Sequence, residues 1–140
     1  MQVETQISVF LENKAGTLAA LAGDLARHGI SIRALTVATL ADHAVVRLVV
    51  SEPRKAVHIF GERGVLAVTS RVLAVQMPDR AGALAAVAKR LAHAGVNIDY
   101  AYGSTLSANG DSVAYVHVSD VTKARAALGR RSRRAPRRRR

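Results

Sequence analysis

The chain has 140 residues, nearly half of them apolar, so it is long enough for one average domain or two small ones with a real core. It contains no cysteine, which excludes disulfide scaffolds, thiolate metal sites and cysteine nucleophiles and leads us to expect a reducing, cytoplasmic setting. Of the net charge of +11, eight units come from Arg130, Arg131, Arg133, Arg134 and Arg137 to Arg140, leaving +3 over residues 1–129, so the basic character belongs to a tail and not to a face of the fold.

The opening residues Met1 to Gln6 carry no basic segment followed by an apolar one, so no signal peptide is expected. No apolar run approaches the roughly 20 residues that span a bilayer, so no membrane partner is expected. Gln6 to Leu11 is rich in β-formers and alternates in part, which predicts a strand. Asn13-Lys14-Ala15-Gly16-Thr17 is a turn into a helix start, where Asn13 or Thr17 could cap the first amides. Leu18, Leu21 and Leu25 recur at three- and four-residue steps and predict an amphipathic helix, stopped by Gly29.

Ile30 to Leu40 and Ala44 to Val50 read as strands joined by a hairpin at Ala41-Asp42-His43. Pro53 suits a first helical turn, so Pro53 to Phe60 is a short helix, broken by Gly61 to Gly64. Val65 to Ser70 is a fourth strand. The order then repeats: strand Val72 to Met77, helix Ala83 to His93, stop at Gly95, strand Val96 to Leu106, hairpin turn Ala108 to Asp111, strand Ser112 to Val118, and helix Val121 to Leu128 with Asp120 as a possible cap.

Superposing Gly16 on Gly82 gives an offset of 66 and brings Leu18 onto Leu84, Leu21 onto Val87, Leu25 onto Leu91 and Ile32 onto Ile98. Such self-similarity marks a duplicated unit. Leu18, Leu21, Leu25, Leu84, Val87 and Leu91 are expected in the core. The reading is α+β: two ferredoxin-like β-α-β-β-α-β modules, residues 1–70 and 71–129, with antiparallel sheets and the helices on one face. The second module lacks its last strand, because Arg130 to Arg140 is too densely charged to build a core and is expected to be disordered. That leaves the Val72 to Met77 edge to be covered by a swapped strand or a partner subunit. Units of about 65 residues bury little surface alone, so an interface between the copies, and a homodimer, are expected.

Both copies resemble the ACT domain. Asn13-Lys14-Ala15-Gly16-Thr17-Leu18 with Gly29-Ile30-Ser31-Ile32, and Asp79-Arg80-Ala81-Gly82-Ala83-Leu84 with Gly95-Val96-Asn97-Ile98, carry the pattern of glycine-bearing turn, helix and second turn. The resemblance, over residues 6–128, is to stand-alone tandem ACT proteins. It implies a regulatory module that binds an amino acid or related small ligand where two units meet, and that acts on an enzyme or transcription partner. The strand-to-helix turn of one unit then faces the helix-to-strand turn of its neighbour, so Asn13 would be joined by Asn97, and Asp79 by Ser31. The usual proline before the turn glycine is replaced by Ala15 and Ala81.

The chemistry suits a zwitterion: helix N-terminal amides favour a carboxylate, glycine admits close approach, and a carboxamide can serve both ligand charges. The bland alternatives are that Gly16 and Gly82 are only turn geometry, Asn13 only a cap, Asn97 only a partner for backbone at a strand entrance, and Lys14 and Arg80 only solvated. No metal or cofactor is expected, because His28, His43, His58, His93 and His117 lack ligand spacing and no phosphate loop or nucleophile elbow is present. An enzyme is therefore not expected. The same strand order serves RNA recognition, but five Phe and Tyr residues in all offer little stacking surface. A nucleic-acid role would fall to the arginine tail.

Overall fold

The computed structural model describes residues 1–104 and 111–129. The expected tail and the turn at Ala108 to Gly110 lie outside the described residues. The order is β1 (Gln2–Glu12), α1 (Thr17–Arg27), β2 (Ile32–Leu40), β3 (His43–Val50), α2 (Pro53–Glu62), β4 (Ala67–Pro78), α3 (Ala83–His93), β5 (Ile98–Ser104), β6 (Asp111–Val118) and α4 (Val121–Gly129). These are the elements of two ferredoxin-like modules.

Their sheets are merged. Six antiparallel strands form one sheet in the order β2-β3-β1-β4-β6-β5. The two strands expected on either side of Arg71 are one continuous strand, because nothing from Ala67 to Met77 bends the chain. The first half of β4 pairs with β1, from Val9 opposite Ala67 to Gln2 opposite Ala74. Its second half pairs with β6, from Leu73 opposite Val116 to Pro78 opposite Asp111. Thr5 lies opposite Arg71, its own counterpart at the 66-residue offset, so a pseudo-twofold axis passes through that pair.

This register answers the open-edge question. The start of β1, from Gln2 to Thr5, occupies the place of the second module's fourth strand. Val3 packs into the second core beside Leu73. Each module thus borrows its fourth strand from the other's elongated first strand, and the sheet is shared rather than swapped between subunits.

Odd-numbered β1 residues and their neighbours face the helices. Ile7, Val9, Val46, Leu48 and Val50 pack against Leu21 and Leu25 of α1 and Ala56, Ile59 and Phe60 of α2. Leu73, Val75, Met77, Val116 and Val118 pack against Leu91 of α3 and Ala124 of α4. Leu18 and Leu84, expected in the core, are 40% and 55% exposed, because each stands in the first helical turn beside its glycine, beyond the rim of the sheet.

The opposite face is not flat. Five inter-strand steps of about 4.8 Å would separate β2 from β5 by about 24 Å, yet Cα atoms of these edge strands approach within 8 Å. The sheet curls on itself and encloses a small third cluster of Val49, Val72 and Tyr115. Gln6 is fully buried there. Its Nε2 donates to the Tyr100 hydroxyl at 2.6 Å and to Ser70 Oγ at 3.3 Å, and its Oε1 accepts from the Tyr102 hydroxyl at 2.8 Å. The Arg47 guanidinium lies 4.1 Å from the centre of the Tyr100 ring. The first module therefore grips the far edge of the second through one carboxamide and one cation.

Candidate functional site

The two glycine bends are near-copies. Gly16 and Gly82 are the N-cap residues of α1 and α3, with φ of 92° and 87° and no side-chain cap on either helix. Neither Asn13 nor Thr17 caps α1. Asn13 Nδ2 donates to the Ala41 carbonyl at 3.1 Å, and the Thr17 hydroxyl is placed 2.9 Å from the Glu12 carbonyl and 3.1 Å from that of Lys14. These bonds tie the first bend to its own β2–β3 hairpin and leave α1 without a side-chain cap; of its first amides, Thr17 N donates to the Lys14 carbonyl at 3.4 Å, as Ala83 N does to that of Arg80 at 3.3 Å in the second bend. Asp79, Ala83 and the rest of the second bend follow the same path, with Arg80 N donating to the Pro78 carbonyl as Lys14 N does to that of Glu12. A Cβ added at either glycine would meet nothing within 4 Å, so each bend opens onto solvent. Ala15, Lys14, Ala81 and Arg80 are exposed beside them.

Lys14 pairs with Glu12 at 2.9 Å, and that hydrogen bond holds the Glu12 carboxyl below its ordinary range. Uncapped amides at a helix N-terminus carry the positive end of the helix dipole and suit a carboxylate. An exposed leucine, Leu18 or Leu84, stands next to each set. Donor amides beside an apolar side chain are what an amino acid's two ends require.

The turns expected to face these bends are elsewhere in the chain. Ser31 N donates to Ser51 Oγ at 3.0 Å, and Asn97 N to Ser119 Oγ at 3.0 Å. Asn97 Nδ2 also donates to Asp99, whose carboxylate meets His117 Nδ1 at 2.8 Å. Tracing the register from Ile98 through Val118 and Arg71 to Thr5 puts Asn97 about level with Gln6. Asn13 is then seven residues further along, about 23 Å at 3.3 Å per residue. Ser31 and Asp79 are separated in the same way. The expected convergence of Asn13 with Asn97, and of Asp79 with Ser31, is not made within one chain. The physical reason is the axis through Thr5 and Arg71, which sends the bends to opposite ends of the sheet and the second turns to its middle.

Two features went unseen in the sequence. One is the repeated serine clamp, Ser51 on Ser31 and Ser119 on Asn97. It is offset by 68 rather than 66, because the second hairpin is two residues longer, and an alignment allowing that insertion would have found it. The other is the Gln6–Tyr100–Tyr102 cluster, for which a polar residue at a buried strand position was the only signal. Burial pushes the Tyr102 and Tyr115 hydroxyls up from their ordinary titration range. Among the described residues no group of His, Asp and Glu could hold a metal ion. Among them, too, no helix is long and apolar enough to cross a membrane.

Duplicated α+β units sharing a sheet, with a glycine-capped helix start at each end, define a tandem module of the ligand-binding regulatory kind. The ACT domain pair profile matches residues 1–129, and the chain belongs to that family. It is similar to protein BT0572 from Bacteroides thetaiotaomicron, at 32% identity and a TM-score of 0.85, covering 91% of this chain and 87% of that one. It also shares its fold with the ligand-free regulatory subunit of aspartate kinase from Thermus thermophilus, at 17% identity, a TM-score of 0.69 and coverage of 92% and 94%. The corresponding subunit from Thermus flavus gives 16%, 0.63, and 91% and 90%. Among curated proteins nothing matches the chain.

Proposed function

We propose that the protein is a non-enzymatic cytoplasmic regulator that senses a small ligand, an amino acid, at its glycine bends. The observation that carries this reading is the pair of uncapped helix starts at Gly16 and Gly82, each open to solvent and flanked by an exposed leucine. Membership of the ACT domain pair family supports it. Because Asn97 and Ser31 cannot reach the bends of their own chain, a second chain supplies them in a homodimer: Asn13 to Leu18 faces the partner's Asn97 turn, and Asp79 to Leu84 its Ser31 turn. The two sites are chemically unequal, and the one with two asparagines is the stronger candidate. Ligand bound there stabilises the dimer and couples occupancy to a regulated enzyme or transcription partner. A few net hydrogen bonds of about 0.5–1.5 kcal/mol each give micromolar to millimolar affinity.

Calorimetric titration with the twenty amino acids tests this. One or a few should bind, each weakened by Asn97→Ala and by Gly16→Val, and sedimentation should report a dimer. Absence of heat with all twenty, or a monomer that binds normally, contradicts the reading.

A further inference from the structure

A cleft of about 550 Å³ lies away from both bends, where the repeats meet. Glu4, Arg33, Ser51 and Pro53 line it from the first module, and Arg125 of α4 lines it from the second. Its charges do not cancel. Arg33 Nη1 is 3.7 Å from Glu4 Oε2, longer than the roughly 2.7–2.9 Å of a charge-assisted hydrogen bond. Among the described residues Arg125 has no ion-pair partner. Ser51 Oγ accepts the Ser31 amide, which leaves its hydroxyl hydrogen to donate elsewhere. The cleft therefore offers one loosely paired guanidinium, one unpaired guanidinium and a hydroxyl, against a single carboxylate whose side chain is only 18% exposed. Pro53, at the start of α2, completes the wall; the N-cap residue Glu52 makes no side-chain cap bond there, and its carboxylate lies 3.9 Å from Lys55 Nζ.

We propose that this seam cleft binds a small carboxylate-bearing molecule, the carboxylate held by Arg125 and the Ser51 hydroxyl, with Arg33 as the second cation. Arg125 belongs to one repeat and Ser51 and Arg33 to the other, so occupancy fastens the two repeats together. The site is separate from the glycine bends and does not need a second chain.

The test uses the full chain and two probes, propionate and succinate, at constant ionic strength held with sodium chloride. Arginine side-chain N–H and Ser51 amide resonances are followed by NMR. Saturable shifts at Arg125, Arg33 and Ser51 are expected in the millimolar range. Arg125→Gln and Ser51→Ala should each weaken binding about tenfold, the first leaving the remaining spectrum in place and the second moving only the Ser31 turn that its hydroxyl holds. Saturation by succinate alone assigns one carboxylate to each arginine, and saturation by both probes assigns the site to Arg125 and Ser51. The shifts should persist in Gly16→Val, which separates this cleft from the bend sites. A linear drift matched by sodium chloride, saturation unchanged in Arg125→Gln, or shifts lost in Gly16→Val would overturn the proposal.

Discussion

Replacing Gln6 by leucine tests the curled sheet where it is most exacting. Gln6 is fully buried and serves Tyr100, Tyr102 and Ser70 through one carboxamide. Leucine fills a similar volume but leaves those hydroxyls without their partner. An orphaned buried polar group costs about 1–3 kcal/mol, with the more enclosed Tyr102 dominating and Tyr100 and Ser70 contributing less, so we expect a loss of about 2–4 kcal/mol. With an unfolding entropy of about 2.1 cal/mol/K per residue, a chain of this size loses about 4 °C in Tm per kcal/mol. The Tm of Gln6→Leu should therefore fall by about 8–16 °C in a calorimetric scan. Tyr102→Phe strands the Gln6 Oε1 and should cost about 1–3 kcal/mol. The double variant is the decisive arm, because the shared bond is counted once and the two effects should fall short of additivity by about 1–2 kcal/mol. Additivity within about 0.5 kcal/mol would mean that the first module does not hold the β5 edge through this contact.

Gly16→Ala forces a left-handed φ on a side-chain-bearing residue with no clash to confuse the result, so it should cost about 1–2 kcal/mol. Gly61→Ala, in α2 with open space at its Cβ, should instead be neutral or stabilise by up to about 1 kcal/mol, and urea melts compare the two. Asp99 has its carboxyl lowered by hydrogen bonds from Asn97 and His117. A depressed folded pKa contributes stability above the unfolded value and loses it as pH falls through the folded one, so Asp99→Asn should lower stability slightly at neutral pH, flatten the acid limb of the stability profile, and match the parent chain at the most acidic pH. Deleting residues 130–140 should leave ligand binding intact; salt-dependent binding of a labelled duplex that vanishes with this deletion would favour the nucleic-acid alternative.

Much of the fold was legible because the duplication reports it twice. The strands, helices and glycine stops recur at one offset, and apolar spacing placed Leu21, Leu25 and Leu91 in the core correctly. Leu18 and Leu84 follow the same spacing but lie outside it, because periodicity gives a face and not the distance from the sheet rim. The merger of two strands into β4 escaped for a related reason: β-propensity is continuous through Arg71, and only the partner strands reveal that its two halves serve different modules. The bends themselves were readable from Gly16 and Gly82. Their separation from Asn97 and Ser31 was not, since it depends on the axis through Thr5 and Arg71, a register that no local pattern encodes.

In the proposed function, ligand meets the backbone at the two helix starts that follow Gly16 and Gly82, neither of which has a side-chain cap. Proton–nitrogen correlation spectra of the intact protein, recorded with and without the amino acid that binds most tightly, read that directly through the Gly16 and Gly82 amides. Large, saturable movement of Gly16 or Gly82, together with the Asn97 side-chain amide, is the predicted result. Saturation that leaves both glycine amides in place would contradict it.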